Sequence, residues 1–462
     1  LTKRTEVPAA DVAAQREIAK EIRALFRERG VTPSAFVDTY GCQQNEADSE
    51  IIRGYLGEMG YTFTDTEQGA DLIVINTCAV RENAENRVWG NVGALIHTKR
   101  EKPEQIIVLC GCMAQQESVA KKVETSFRHV DLVFGPHALW RLPELLKRLL
   151  TERGRIFEIS ETEGQIAEDL PQVRTEGPAA WLSIMYGCDN FCSYCIVPHV
   201  RGRERSRKPE RILEDARRLI GEGVRDITLL GQNVNSYSYD FPALLEAINA
   251  LPGEFLIRFM TSHPKDSTEE LFAAMARLEK VARHIHLPVQ AGNSRVLEAM
   301  NRGYTKEGYL ALIDTARRYM PDIVLTSDII VGFPGETATE FEDTLDVLER
   351  VQFDALFTFL YSPRTGTPAA ELPDPVPRAE KQVWFDRMIA LQNEISLRRH
   401  QAYIGTRQRV LVDGKTEDAR YPLKARTNGH RLVRLMGDES LIGQFVEVEI
   451  TDASTWSLTG TL

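Results

Sequence analysis

Tyr186-Gly187-Cys188-Asp189-Asn190-Phe191-Cys192-Ser193-Tyr194-Cys195 sets three cysteines at the spacing C-x3-C-x2-C, directly after the apolar run Trp181 to Met185. Three thiolates in one tight loop can hold three irons of a cubane cluster and leave the fourth iron without a protein ligand. An open iron is a place for chemistry. Zinc is the alternative occupant, but a structural zinc site is closed by four ligands, and the nearest fourth candidate, His199, lies beyond Pro198.

Outward from this loop, the chain of 462 residues has room for two or three domains. Hydrophobic residues make up 43% and charged residues 27%, an ordinary globular balance that excludes a disordered or fibrous chain. The first thirty residues are rich in Lys, Arg and Glu and carry no apolar core of a signal or transit peptide. No apolar run approaches the ~18 residues of a membrane span. A cytoplasmic protein is expected, with no membrane partner. Seven cysteines, scattered through a long chain, point to ligation or redox chemistry rather than a disulfide framework. A formal net charge of -11 argues against a general nucleic-acid coat, so any nucleic acid must be met by local basic patches.

Upstream of the loop, Ile18, Ile22, Leu25 and Phe26 recur at helical spacing and predict an amphipathic helix over 9–29. From Ala35 a strand-helix alternation begins, with apolar strands near 35–40, 71–76, 106–110 and 131–134, the pattern of an open parallel sheet. Cys42, Cys78 and Cys112 each fall just past the carboxyl end of a successive strand. Ligands gather outside the carboxyl ends of strands in such sheets, so these three cysteines define a second site. Buried structural cysteines are the alternative, and Cys110, inside a strand, is assigned to that role.

The stretch 151–178, punctuated by Gly154, Gly164, Pro171, Gly177 and Pro178, reads as a linker. Beyond it, strands near 181–186, 226–230, 255–260, 284–289, 323–331 and 354–360 alternate with helical stretches, which predicts a partial (β/α)6 barrel with its site at the strand ends. Gly231-Gln232-Asn233, Thr261-Ser262-His263, Pro288-Val289-Gln290 and Gly332-Phe333-Pro334-Gly335-Glu336 fall at those ends and form a candidate cofactor site. A long helix over 379–403 leads to short β-rich runs at 408–412, 430–435 and 444–450, which predict a small C-terminal β-barrel of the kind that binds oligonucleotides. Eight Lys and Arg against three acids lie between Arg407 and Arg434. A second basic run, Arg201, Arg203, Arg205, Arg207, Lys208 and Arg211, follows the cysteine loop where a phosphate-bearing substrate would meet it.

The C-x3-C-x2-C loop with Tyr194 before its last cysteine resembles the signature of the radical S-adenosylmethionine (SAM) enzymes. The chain from about Ala35 to its end is similar to the methylthiotransferases, most closely the MiaB group. The motifs that carry the likeness are Tyr40-Gly41-Cys42-Gln43 with Asn45, Asn76-Thr77-Cys78-Ala79-Val80-Arg81, Gly111-Cys112-Met113-Ala114-Gln115, Ile196-Val197-Pro198 after the loop, Gly231-Gln232-Asn233-Val234-Asn235-Ser236-Tyr237, and Ile329-Ile330-Val331-Gly332-Phe333-Pro334-Gly335-Glu336-Thr337. The C-terminal part looks like a TRAM domain. Two departures stand out: Gln44 in place of a methionine, and Ala425-Arg426-Thr427-Asn428-Gly429-His430 in place of a Gly-Arg-Thr core followed by asparagine.

The resemblance implies a helical extension over 1–34, a methylthiotransferase N-terminal domain over 35–152, a radical SAM core over 174–404 and a TRAM domain over 405–462. It implies SAM and two 4Fe-4S clusters, one radical-generating on Cys188, Cys192 and Cys195 and one auxiliary on Cys42, Cys78 and Cys112. These six cysteines are at once the metal ligands and the catalytic positions. Gln232, Asn233 and Gly332 are the candidate SAM contacts. The implied reaction places a methylthio group on carbon 2 of an isopentenylated adenosine beside the anticodon of tRNA, met as an anticodon stem-loop. No side chain supplies a radical strong enough for an aromatic C–H bond, so the cofactor carries that step. The implied partners are a reductant such as flavodoxin or ferredoxin and a sulfur-supply or cluster-assembly protein. The alternatives are a sibling methylthiotransferase acting on threonylcarbamoyl adenosine or on a ribosomal-protein aspartate, and a non-catalytic iron-sulfur RNA-binding regulator. Arg81-Glu82-Asn83-Ala84-Glu85 is like the MiaB group.

Overall fold

The computed structural model describes residues 6–80, 82–152, 154–159, 164–174 and 177–462. Arg81, which belongs to two of the motifs above, lies outside the described residues, as do the side chains of Glu82, Asn83 and Ala84. The chain forms two compact units: Leu1–Thr175 with Tyr186–Asp189 and Ile196–Arg205, and Glu176–Met185 with Asn190–Cys195 and Ser206–Leu462.

The first unit is built on a six-stranded sheet in the order Thr62–Phe63, Ser34–Thr39, Leu72–Thr77, Ile106–Gly111, Leu132–Phe134 and Ile156–Glu158, every pair parallel. Leu72–Thr77 is buried at all six positions, as a parallel strand covered on both faces must be. Its neighbours alternate faces residue by residue: Val74, Val108 and Cys110 enter one core and Ile73, Ile75 and Leu109 the other. Cys110 is thus a core residue, as its position in the strand predicts. Helix Ala9–Glu28 buries Val12, Ala19, Ile22 and Phe26 on one stripe, the last three within the first of these cores.

The stretch read as a linker is partly ordered structure. Ile156–Glu158 is the sixth strand of the sheet. The Val173 amide donates to the carbonyl of Glu50 at 3.0 Å, on the helix Gln43–Met59. Three strand residues among glycines and charges give no local signal of their own; the open edge of Leu132–Phe134 recruits them.

The second unit holds six parallel strands in two sets of three, Ala179–Ser183, Asp226–Leu230 and Leu256–Phe259, then His284–His286, Val324–Val331 and Ala355–Leu360. The helices Pro209–Gly221, Phe241–Asn249, Glu269–Arg277, Lys306–Tyr319, Ala338–Val351 and Arg378–Gln401 alternate with them, which is the partial (β/α)6 barrel. Ile227, Phe259, Ile285, Leu325 and Ile329 pack outward against helix residues such as Leu244, Ile313, Val347 and Trp384.

A closed five-stranded barrel ends the chain: Arg407–Lys415, Leu423–Thr427, Leu432–Leu435, Leu458–Thr461 and Phe445–Ala453. Leu423–Thr427 and Leu458–Thr461 add to the three strands read from sequence. The turn Thr427–His430 lies against the amino ends of the larger barrel's strands. Arg258 donates to the carbonyls of Asn428 at 2.6 Å and Thr427 at 3.1 Å, the Arg283 amide donates to Asn428 Oδ1 at 2.6 Å, and His430 stacks on His284. The departure from the usual TRAM pattern therefore falls where the tail meets the barrel. Among the described residues no helix is long and apolar enough to cross a membrane.

Candidate active site: two cysteine sites

Cys42, Cys78 and Cys112 meet because the strands before them are in register. Thr39 pairs with Asn76 and Thr77 with Gly111, and the ladder runs on past the strand ends through Tyr40 N to Asn76 O at 2.8 Å and Cys112 N to Thr77 O at 2.9 Å. Gly41, at φ +129°, allows residue 78 to approach; a Cβ at position 41 would collide with Cys78 Cβ. Asn45, fully buried in the first turn of helix Gln43–Met59, fastens the edge: its Nδ2 donates to Thr77 O at 2.7 Å and Tyr40 O at 3.1 Å. The thiols of Cys42 and Cys112 both face its Oδ1, at 3.6 and 3.9 Å.

Burial pushes the Cys112 thiol up to about 12, opposed by Arg201, and the thiols of Cys78 and Cys42 are near enough to add to the rise. Ligation to a cluster removes that proton outright. Among the described residues no three His, Cys, Asp or Glu close on a single metal ion. Three thiols at one sheet edge, with Cys78 and Cys112 buried and Cys42 half-buried, suit an iron-sulfur cubane, in which each thiolate takes a different iron.

The second cysteine loop is divided between the units, Tyr186–Asp189 belonging to the first and Asn190–Cys195 to the second. In the first, the Cys188 amide donates to Gly202 O at 3.1 Å. In the second, the Cys195 amide closes a turn on Cys192 O at 2.9 Å, and the segment 299–302 holds the loop through Ser193 Oγ to Ala299 O at 2.7 Å and Asn301 Nδ2 to Phe191 O at 2.9 Å. Tyr194 packs against the apolar set Ala291, Leu297, Met300 and Phe333. Arg302, 5% exposed, donates to Cys192 Sγ at 3.3 Å.

Past the carboxyl ends of the barrel strands, Asn233 is 1% exposed and gives its Nδ2 to Asp266 at 2.8 Å, while its Oδ1 has no partner. Ser262 Oγ and His263 Nε2 are buried and unpartnered in the same way. Burial, with Arg302 and Lys265 nearby, pushes the His263 imidazole down to about 2, so it is neutral. Three orphaned polar atoms at strand ends are what a site awaiting a polar ligand presents. Gln232 is half-buried beside them. Gly332, at φ +75°, takes its close approach from Lys381, whose methylenes occupy the place of the missing Cβ and whose Nζ donates to Gly332 O at 2.7 Å. Its amide donates to Glu336 Oε2 at 2.6 Å.

The basic run after the loop is differently used from the sequence expectation. Arg201 and Arg207 are buried, Arg201 on Cys112 and Asp48, and Arg207 on Asp215 at 2.8 Å and Ser183 O. Arg203 pairs with Asp189 and Arg211 with Glu214. Sequence reading missed Arg302, Asp48 and Lys381, and nothing in their local sequence marks them.

Residues 182–348 match the Radical SAM superfamily, residues 34–135 the uncharacterized protein family UPF0004 and residues 401–462 the TRAM domain. The fold is similar to that of a radical SAM methyltransferase, TsrM, from Kitasatospora setae, with a TM-score of 0.55 at 15% identity over 74% of this chain and 77% of that one. Barrel, cysteine loop and superfamily match together define a radical SAM enzyme. A tRNA-2-methylthio-N(6)-dimethylallyladenosine synthase of Acetivibrio thermocellus is 46% identical over 99% of this chain and 97% of its own length. One of Carboxydothermus hydrogenoformans is 48% identical over 93% and 99%. The chain belongs to the family of tRNA-2-methylthio-N(6)-dimethylallyladenosine synthases. That assignment favours the dimethylallyladenosine reaction over the sibling substrates and over a non-catalytic regulator.

Proposed function

We propose that this chain is a radical SAM methylthiotransferase that installs a methylthio group on carbon 2 of N6-isopentenyladenosine next to the anticodon of tRNA. The observation that carries this reading is the meeting of Cys42, Cys78 and Cys112 at one sheet edge in a chain that also bears the C-x3-C-x2-C loop. Its cofactors are SAM and 4Fe-4S clusters; when bound, they supply the electron, the radical precursor and the sulfur. In this reading Cys188, Cys192 and Cys195 hold the cluster that cleaves SAM, and Cys42, Cys78 and Cys112 hold the auxiliary one.

The protein's own work is positioning. Arg302 fixes the Cys192 side of the loop from one face, and Asn301 and Ser193 fix its backbone. Asn233 Oδ1, Ser262 Oγ and His263 Nε2 offer polar partners to SAM, with Gln232 beside them. Gly332 acts indirectly, by admitting Lys381 and presenting its amide to Glu336. Nδ1 of the neutral His263 accepts from Lys265 N at 3.2 Å, so Nε2 carries the ring proton and can donate one hydrogen bond without bringing a charge to the site.

Exposed Arg407, Arg420 and Arg434 on the C-terminal barrel are the proposed phosphate contacts for the anticodon stem-loop. Replacing all three by Ala should flatten the salt dependence of tRNA affinity by about one unit of log-log slope for each arginine replaced; an unchanged slope counts against them. A flavodoxin- or ferredoxin-like reductant, a sulfur-supply or cluster-assembly protein and a cytoplasmic location complete the proposal. So do domain boundaries at 174 and 405, the first domain taking in the helix Ala9–Glu28 and the strand Ile156–Glu158.

The test of the whole reading is nucleoside analysis of tRNA from cells with and without the protein. Loss of 2-methylthio-isopentenyladenosine with accumulation of isopentenyladenosine is expected. An unchanged nucleoside profile overturns the reading.

A further inference from the structure

The helix Val197–Arg201 begins two residues after Cys195, and Ile196 and Val200 pack with Ala79 and Cys112. That apolar contact brings the last side chain of the helix to the first cysteine site. Arg201 is 5% exposed; its Nε donates to Cys112 Sγ at 2.9 Å, and its Nη2 donates to Asp48 Oδ2 at 2.7 Å and to Asn45 Oδ1 at 3.1 Å. Asp48 is itself 6% exposed, and its other oxygen accepts from Gln44 Nε2 at 3.1 Å. Gln44, the departure from the family's usual methionine, thus serves the same network.

A buried guanidinium is costly unless its charge and its hydrogen bonds are met. Asp48 meets the charge in part, Asn45 Oδ1 accepts one further hydrogen bond, and the third partner is the sulfur of a proposed cluster ligand. A cluster held by three thiolates is an anion, and burying it calls for a cation nearby. Hydrogen bonds to the sulfurs and net local charge are the levers by which a protein sets a cluster's reduction potential.

We propose that Arg201 is a positioning residue for the auxiliary cluster, counter-cation and hydrogen-bond donor to the Cys112 sulfur, and that Asp48 holds it in place while pulling the potential the opposite way. The proposal rests on the reading that Cys42, Cys78 and Cys112 hold a cluster. An added electron makes the cluster more negative, so a fixed cation favours the reduced form and a fixed anion disfavours it. Removing Arg201 therefore lowers the potential, and neutralising Asp48 raises it. A merely structural pair would show no such opposition of sign.

The experiment uses the full chain carrying Cys188→Ala, Cys192→Ala and Cys195→Ala, reconstituted anaerobically, in which the auxiliary cluster stands alone. Iron content and a redox titration followed by electron paramagnetic resonance of the reduced cluster are read for this parent and for Arg201→Gln, Arg201→Lys and Asp48→Asn. Expected are about four irons in each, a lower potential in Arg201→Gln, a higher one in Asp48→Asn and an intermediate one in Arg201→Lys. An iron-replete Arg201→Gln with the parent potential, or shifts of the same sign in Arg201→Gln and Asp48→Asn, overturns the role of Arg201 and leaves the cluster standing. Iron absent from Arg201→Gln and kept in Arg201→Lys supports it, and absence from both overturns it in favour of packing. A parent without iron overturns the cluster reading itself, and the proposal with it.

Discussion

Arg302 Nη1 lies 3.3 Å from Cys192 Sγ while its Nη2 donates to Pro288 O at 2.8 Å, so one guanidinium joins the cysteine loop to the turn that follows the strand His284–His286. Tyr304 completes the joint, accepting from Arg302 Nε at 2.9 Å and donating to Val289 O at 2.9 Å. Each proposed cluster thus has a buried arginine at one of its sulfurs, Arg201 for Cys112 and Arg302 for Cys192.

Replacing Arg302 by Gln removes the charge and the donor to the Cys192 sulfur, while Pro288 O keeps the Tyr304 hydroxyl at 3.1 Å. A hydrogen bond to a charged group contributes about 1.5–3 kcal/mol, which corresponds to roughly 10- to 100-fold in rate if it acts on the reactive state. Reductive cleavage of SAM to 5'-deoxyadenosine by the reconstituted enzyme should fall by about that factor, with Tyr304→Phe milder. A parent-like rate in Arg302→Gln would show that the approach to Cys192 is incidental.

The tail is fastened to the barrel by charge as well as by backbone. Asp354 is 3% exposed, pairs with Arg431 of the tail and with Arg399 at 2.7 Å, and accepts from Leu325 N at 2.7 Å. Asp354→Asn leaves Arg431 as a buried cation without its anion, a loss of about 3–5 kcal/mol. Denaturant unfolding should show the midpoint falling accordingly. A midpoint within experimental error of the parent would mean that the tail does not brace the barrel. Deleting 405–462 is for the same reason a poor test of RNA binding, since it uncovers Arg258 and His284 as well.

What the sequence made legible was local. The apolar run 72–75 declares a buried parallel strand, and the cysteines after it and its neighbours mark a candidate strand-end site. The partners of Arg201 and of Arg258 lie 153 and 170 positions away, at Asp48 and Asn428, and no local pattern encodes a pairing across such a distance. A run of arginines therefore read as a phosphate patch, although Arg201 and Arg207 face inward. The strand Ile156–Glu158 was hidden for a related reason, because its pairing edge, not its composition, makes it a strand.

Glu336 provides a pH signature of the loop after Val324–Val331. Burial pushes its carboxyl up from 4.5 to about 7, although the amides of Gly332 and Phe333, donating to Oε2, pull it back. Between these two values the folded chain keeps a proton that the unfolded chain has released. Stability from this group is therefore full below about pH 4.5, declines as pH rises, and is lost by about pH 7. Glu336→Gln, which retains an acceptor for both amides, should flatten that part of the stability profile. A profile with the parent's slope would place the titration elsewhere.

The two cysteine sites should separate by role. Cys192 and Cys195 belong to the unit that carries the orphaned polar atoms of Asn233, Ser262 and His263, and Cys188 completes their loop in sequence, so replacing the three by Ala should abolish both 5'-deoxyadenosine and methylthio product. Cys42, Cys78 and Cys112 lie on a sheet with none of those groups. Their triple replacement should remove about half of the iron and all methylthio transfer, yet leave part of the SAM cleavage, because that variant keeps the means to make a radical and lacks the sulfur to transfer. Cys110→Ala, by contrast, changes a side chain within the apolar core and should leave iron content at the parent value. The assay follows iron, 5'-deoxyadenosine and 2-methylthio-isopentenyladenosine together on an isopentenylated anticodon stem-loop. If the Cys42, Cys78, Cys112 triple variant formed methylthio product near the parent rate, the first site would be structural and the division of labour wrong.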